Sequence, residues 1–261
     1  MNSEDEERAV RRIAVTLDAF GLSASALDQA VRLAARMGAR LEGIFVEDIE
    51  LLQLAELPFT REVRSVSRSE ASMNPARMEQ EFRVLARRAE HLLSEQAAQH
   101  NVNWTFRIWR GSIDSDLLGA AMEADVLALT RLGARLACEP VARARRSGIA
   151  VLFDGSAASM RALDTAAELA RDPYVRLDVL LNASDETGAA GLRQQAQQQL
   201  GDLPGGIHFV SLADTSLPAL LDMLADTGSA ALIIERENSL LHTPALRQSL
   251  NSIDCALLIV R

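Results

Sequence analysis

The chain has 261 residues, 48% of them hydrophobic and only 4% aromatic, so it must fold around aliphatic cores and is long enough for two domains of ordinary size. All 27 basic residues are arginine, which excludes Schiff-base and P-loop lysine chemistry. The net charge of −9 repels phosphate backbones and argues against nucleic acid as a general partner.

The first residues, Met1 to Glu7, are acidic and polar and contain no apolar signal core. No apolar run approaches the ~20 residues of a membrane helix. Cys138 and Cys255 lie far apart and outside any C-x-x-C pair, which suits a reducing compartment. A cytoplasmic protein without membrane attachment is expected.

In chain order, the apolar run Ile13–Leu17 reads as a strand buried on both faces, as in a parallel sheet. Leu27, Val31, Ala34 and Ala35 then recur at helical spacing, and Gly38 stands where a helix C-terminus is expected. Leu41–Val46 is a second strand, completing a βαβ unit. The segment 47–75 is an insertion. Its Ile49, Leu52, Leu57, Phe59 and Val63 are more apolar than a loop requires, as in a flap on its own domain, a lid or a docking surface.

A long helix is predicted from Pro75 to His100, with Met78, Phe82, Leu85, Ala89, Leu92 and Gln96 on its inner face. A strand near Asn103–Arg110, a helix near Ile113–Glu123 and a strand at Val126–Thr130 follow. Residues 131–148 carry five arginines against Glu139 alone. They read as a solvated linker or, more sharply, as an anion-binding or docking strip.

The pattern then restarts. Placing Ile13 over Ile149, 13 of the 29 positions from 13 to 41 are identical without a gap, a density that signals duplication. The second copy offers strands at Ile149–Phe153 and Val175–Leu181, a helix at Glu186–Leu200 and a strand at Ile207–Leu212. A helix at Leu217–Ala225, a strand at Ala230–Glu235, a helix near Pro244–Ser252 and a last strand Ala256–Val260 complete it. The first copy lacks room for that last strand. The expected fold is α/β, two tandem doubly wound parallel-sheet domains at 1–147 and 148–261, with four strands in the first sheet and five in the second. The copies should pack as a pseudo-dimer, with Leu257 and Ile259 buried at their junction.

Ile149-Ala-Val-Leu-Phe-Asp-Gly-Ser156, the following Ala162-Leu163 helix and the terminal Cys255-Ala-Leu-Leu-Ile-Val-Arg261 resemble the universal stress protein family in its tandem, Rossmann-like form. Arg110-Gly111-Ser112 and Ala124-Asp125-Val126-Leu127 fit its third strand–helix–strand join. The resemblance implies a cytoplasmic protein of stress adaptation. In members that bind ATP it implies a Gly-rich loop after the fourth strand, where backbone amides hold the phosphates. Here Glu235–Asn251 has no glycine and carries Glu235 and Glu237, while Thr130–Cys138 keeps only Gly133. ATP in the usual mode is therefore not expected, and no other cofactor is implied.

Asp18 and Asp154 match the family's aspartate after strand one, and Gly155 and Ser156 match the residues that follow it. They would contact a ligand if one binds, or serve as turn and N-cap residues. Asp114 and Asp116 read as helix-capping carboxylates and both cysteines as small hydrophobes. The histidines at 91, 100, 208 and 242 make no metal spacing, and no catalytic constellation is present. The expected protein is non-enzymatic, a regulatory or scaffolding module acting through unknown protein partners or a second copy. The alternative is a small-ligand or adenine-nucleotide sensor using the strand-end clefts.

Overall fold

A computed structural model describes residues 10–18, 24–57, 61–63, 70–72, 75–111, 123–129, 148–183, 185–212, 216–242 and 255–261. Strand β1 (Arg12–Asp18), helix α1 (Ala24–Met37) and β2 (Arg40–Asp48) form the first crossover. Helix α2 (Ile49–Glu56) and the antiparallel hairpin β3 (Arg61–Val63) and β4 (Glu70–Ser72) occupy the insertion. Helix α3 (Pro75–Gln99), β5 (Trp104–Gly111) and β6 (Val126–Leu129) follow. The second series is β7 (Gly148–Phe153), α4 (Ala157–Ala170), β8 (Arg176–Asn182), α5 (Glu186–Leu200), β9 (Ile207–Leu212), α6 (Leu217–Thr227), β10 (Ser229–Glu235), a 3-10 turn (Ser239–His242) and β11 (Ala256–Val260).

Nine of these strands form one sheet, in the order β5-β2-β1-β6-β11-β10-β7-β8-β9. All neighbours are parallel except β11 and β6, which run antiparallel with Leu257 opposite Leu129 and Val260 opposite Val126. The two strand series share an order, β5-β2-β1-β6 against β9-β8-β7-β10, with β11 added to the second. The sequence reading expects two separate sheets of four and five strands. The strands occur in that number but merge. β6 would otherwise leave a row of unpaired amides and carbonyls, and β11 satisfies them while it also pairs with β10.

Alternation along the strands divides the core into two layers. Ile13, Val15, Phe45, Val151, Phe153, Val179 and Leu258 meet α1, α3, α4 and α5 on one face. Ala14, Ile44, Leu152, Leu180, Ile234, Leu257 and Ile259 meet Leu220 and Leu224 of α6 on the other. Leu257 and Ile259 are buried at the junction, as expected. Cys255 packs half-buried against the second layer.

The inner face of α3 is rotated from the expected one. Its buried stripe is Phe82, Ala86, Ala89, Leu93 and Ala97, with Met78, Leu85 and Leu92 only partly covered. The sequence reading centres the larger residues, yet alanines hold the centre. Gly43 of β2 explains the close approach, since a Cβ there would sit 2.5 Å from Leu93 Cδ2. In the insertion, α2 touches α3 and β5, and Leu52 packs on the core while Leu54 and Leu57 stay exposed. The predicted helix near Pro244–Ser252, most of the one near Ile113–Glu123, the arginine-rich stretch, Asp114, Asp116, Cys138 and the loop from Thr130 to Cys138 lie outside the described residues.

Candidate functional site

From β7 the chain crosses through α4 to β8 on one side, while β10 lies on the other. The winding direction therefore reverses between β7 and β10. Open α/β sheets bind ligands outside the carboxyl ends of strands at such a reversal. Asp154 directly follows β7, and Glu235 is the last residue of β10. In the first series the matching reversal lies between β1 and β6, with Asp18 closing β1 opposite Val46. The Asp18 side chain and residues 19–23 lie outside the described residues.

The turn from Asp154 to Ser159 is a tightly bonded helix start. The Ser156 amide donates to Asp154 Oδ1 at 2.9 Å, and the Ser159 amide donates to Ser156 Oγ at 3.1 Å. Ser156 is thus the N-cap of α4. The Ser159 hydroxyl donates to the Ser156 carbonyl at 3.0 Å. Burial by itself raises the Asp154 carboxyl. The hydrogen bonds from the Ser156 amide and the Ser159 and Ser156 side chains outweigh it, so the group lies below its ordinary value and is charged at neutral pH.

Gly155 holds φ at +81°, and a Cβ there would lie 2.8 Å from Leu192 Cδ2 and 2.9 Å from Gln195 Oε1 of α5. Positive φ and the close helix both favour glycine. Gly155→Ala should destabilise the fold by about 1–3 kcal/mol, read as a lower midpoint in urea. An unchanged midpoint would show that the turn relaxes without strain.

Glu235 is 4% exposed. Its Oε1 accepts from Asn238 Nδ2 at 2.7 Å, while its Oε2 is buried with no hydrogen-bond partner. Burial pushes this carboxyl above its ordinary value. The Asn238 hydrogen bond opposes the shift, and the charges of Asp154 and Glu237 add to it. The sequence reading took Glu235 as an obstacle to phosphates and missed its burial. The available signal was its position as the final residue of an apolar strand run.

Three other buried carboxylates were also missed, and each is met by arginine. Glu42 takes Arg12 Nη2 at 2.6 Å and Arg107 Nε at 2.9 Å. Glu47 takes Arg110 Nε at 2.9 Å. Asp178, with no exposed surface, takes Arg176 Nε and Nη2 at 2.9 Å each, and His208 Nδ1 at 3.2 Å. Glu42 and Asp178 fall at one position of the repeat register, as do Arg40 and Arg176. Among the described residues no cluster of three or more His, Cys, Asp or Glu is arranged to hold a metal.

The fold is that of the universal stress proteins, an α/β Rossmann-like arrangement. Over 95% of this chain and 96% of that one it superposes on a universal stress protein from Archaeoglobus fulgidus DSM 4304, with a TM-score of 0.55 at 11% identity. A functionally unknown protein from Pseudomonas aeruginosa PAO1 aligns over 98% of this chain and 94% of its own, with a TM-score of 0.48 at 12% identity. A universal stress protein solved in complex with cAMP aligns over 44% of this chain and 97% of its own, with a TM-score of 0.35 at 19% identity. No family model matches the sequence, and no curated protein matches it.

Proposed function

We propose that this chain is a non-enzymatic regulatory or scaffolding protein of the universal stress type, built from two copies of one domain, 1–147 and 148–261, and that it does not take ATP in the usual mode. The carrying observation is Glu235. The strand end from which a phosphate-binding loop would leave instead buries a carboxylate, with Asp154 and Glu237 beside it. Phosphates there would meet the negative charge of Asp154 and Glu237, and the Gly-free stretch to Asn251 supplies no glycine for close backbone approach. The shared strand order and the antiparallel β11–β6 joint support a duplicated ancestral homodimer. A cytoplasmic location is part of the reading. No described helix is long and apolar enough to cross a membrane.

Calorimetric titration with magnesium and ATP tests the central claim. The expected result is no heat of binding at millimolar nucleotide. Micromolar affinity would overturn the reading and direct attention to Asp154 and Ser156. The second reading, a small-ligand sensor at the strand ends, is favoured by one observation, the unpartnered oxygen of Glu235.

A further inference from the structure

Four carboxylates are buried in the described residues, at Glu42, Glu47, Asp178 and Glu235. The first three each hold an arginine within 2.6–2.9 Å. Buried charges are kept only when paired, and this chain follows that rule three times. Glu235 breaks it. Among the described residues it has no ion pair, and its Oε2 is the one buried side-chain polar atom without a hydrogen-bond partner. It also stands at the crevice where sheets of this kind bind ligands.

Among the described residues no cation pairs with Glu235, although Arg236 follows it in the chain. Among the described residues, Asp154 at the end of β7 and Glu237 in the turn are the charged groups that act on Glu235, and both are acidic. β11 presents Val260 opposite it. Arg161 of α4 spends its guanidinium on the carbonyls of Arg261 at 2.8 Å and Ala157 at 3.3 Å. Asp154 and Glu237 are exposed beside the covered Glu235 carboxyl.

We propose that the crevice between the ends of β7 and β10 binds a small cationic ligand, an amine or guanidine, whose charged group pairs with Glu235 and lies against Asp154. Asn238, itself buried, must yield with the turn Arg236–Asn238 to admit it. The exchange balances as a protonated ligand plus the Glu235 carboxylic acid giving a bound cation–carboxylate pair and one proton released to solvent. The inference rests on the small-ligand reading and names its ligand class, and it stands apart from the ATP claim. ATP binding would overturn that claim, whereas the amine result bears on this site alone.

Agmatine and putrescine serve as probes against the full chain, with magnesium chloride and magnesium–ATP as separate arms. Millimolar agmatine or putrescine should raise the melting temperature. Calorimetry in buffers of different ionisation heat should register proton release that grows as pH falls. Glu235→Gln should weaken binding by about thirtyfold or more, the usual effect of removing one partner of a buried charge pair. Glu237→Gln, at an exposed position, should change it by less than about threefold. Without ligand, the Glu235→Gln variant should fold with a higher melting temperature than wild type at neutral pH, because it removes a carboxyl whose ionised form is penalised first by burial and then by repulsion from Asp154. A carboxyl raised in the folded state stabilises below its unfolded pKa and loses that stability as pH rises through the folded pKa. The gap between variant and wild type should therefore widen with pH. No shift with either probe, equal binding by Glu235→Gln, heats independent of buffer, or the same shift with magnesium chloride alone would each overturn the proposal.

Discussion

Deleting residues 255–261 should abolish cooperative folding or leave the protein insoluble. The five residues of β11 are each at most 6% exposed. Burying the four larger ones, Leu257, Leu258, Ile259 and Val260, contributes about 1.5–3 kcal/mol each, so their sum rivals the whole stability of an ordinary protein, about 5–15 kcal/mol. The ladders add to the loss. β11 pairs with five residues of β10 and four of β6, and its removal turns both into apolar edges. Arg261 contributes as well, its amide donating to the Asp125 carbonyl at 2.9 Å. Leu258→Ala is a milder companion. It sits fully buried in the helix-covered layer and should cost about 2–5 kcal/mol. A truncated protein that stayed soluble with an unchanged melting temperature would show the joint to be peripheral.

The central strands were legible because they are buried on both faces and so read as unbroken apolar runs, whereas the edge strands β5 and β9 are half exposed and carry polar residues. Ile207–Leu212 and Ala256–Val260 match their predicted bounds, as does the helix Glu186–Leu200. That helix is bounded by Asp185, whose carboxylate accepts from the Gly188 amide at 2.7 Å, and by Gly201 at positive φ. The merging of two sheets was not legible, because pairing between distant strands leaves no local pattern. An apolar run says that a strand is covered, not by which neighbour. The α3 face was misread for a related reason. Helical period fixes a stripe only to within a residue, and the choice between large residues and alanines depends on how close the sheet comes. That distance is set by Gly43, in another element.

At the candidate site the sequence marked Asp154, Gly155 and Ser156, and the structure accounts for each within a capped turn. What it could not mark was the difference between Glu235 and the other strand carboxylates. All four lie in or at the end of apolar runs, where a charge is costly unless paired. The arginines that pair with them come mostly from neighbouring strands. Arg12 reaches Glu42 from β1, Arg107 reaches it from β5, and Arg110 reaches Glu47 from β5, whereas Arg176 reaches Asp178 along β8. Only the assembled sheet shows that Glu235 is left over.

The Arg176–Asp178 pair should be markedly more sensitive to losing its arginine than its carboxylate. Asp178 has no exposed surface, while Arg176 is 45% exposed and His208 59% exposed. In Arg176→Met the carboxylate stays buried with only His208 at 3.2 Å and Ser229 Oγ at 3.5 Å. A stranded buried charge of this kind costs about 3–5 kcal/mol. The variant also frees the Thr227 carbonyl, which Arg176 Nη2 meets at 2.9 Å at the end of α6. In Asp178→Asn the geometry is kept, and both partners, Arg176 and His208, can turn to water. The cost is then nearer that of a lost charged hydrogen bond, about 1.5–3 kcal/mol. The two carboxylate oxygens tie β8 to β9 through His208 and to β10 through Ser229, so either variant should loosen that end of the sheet before its centre. Urea denaturation of the two single variants gives the order, and amide exchange at Ile207 to Phe209 locates the loss. Equal costs, or a larger cost for Asp178→Asn, would mean that Asp178 reaches solvent and that the pair is a surface bridge. The equivalent carboxylate Glu42, held by two arginines from different strands, should tolerate loss of either one better than Asp178 tolerates loss of Arg176.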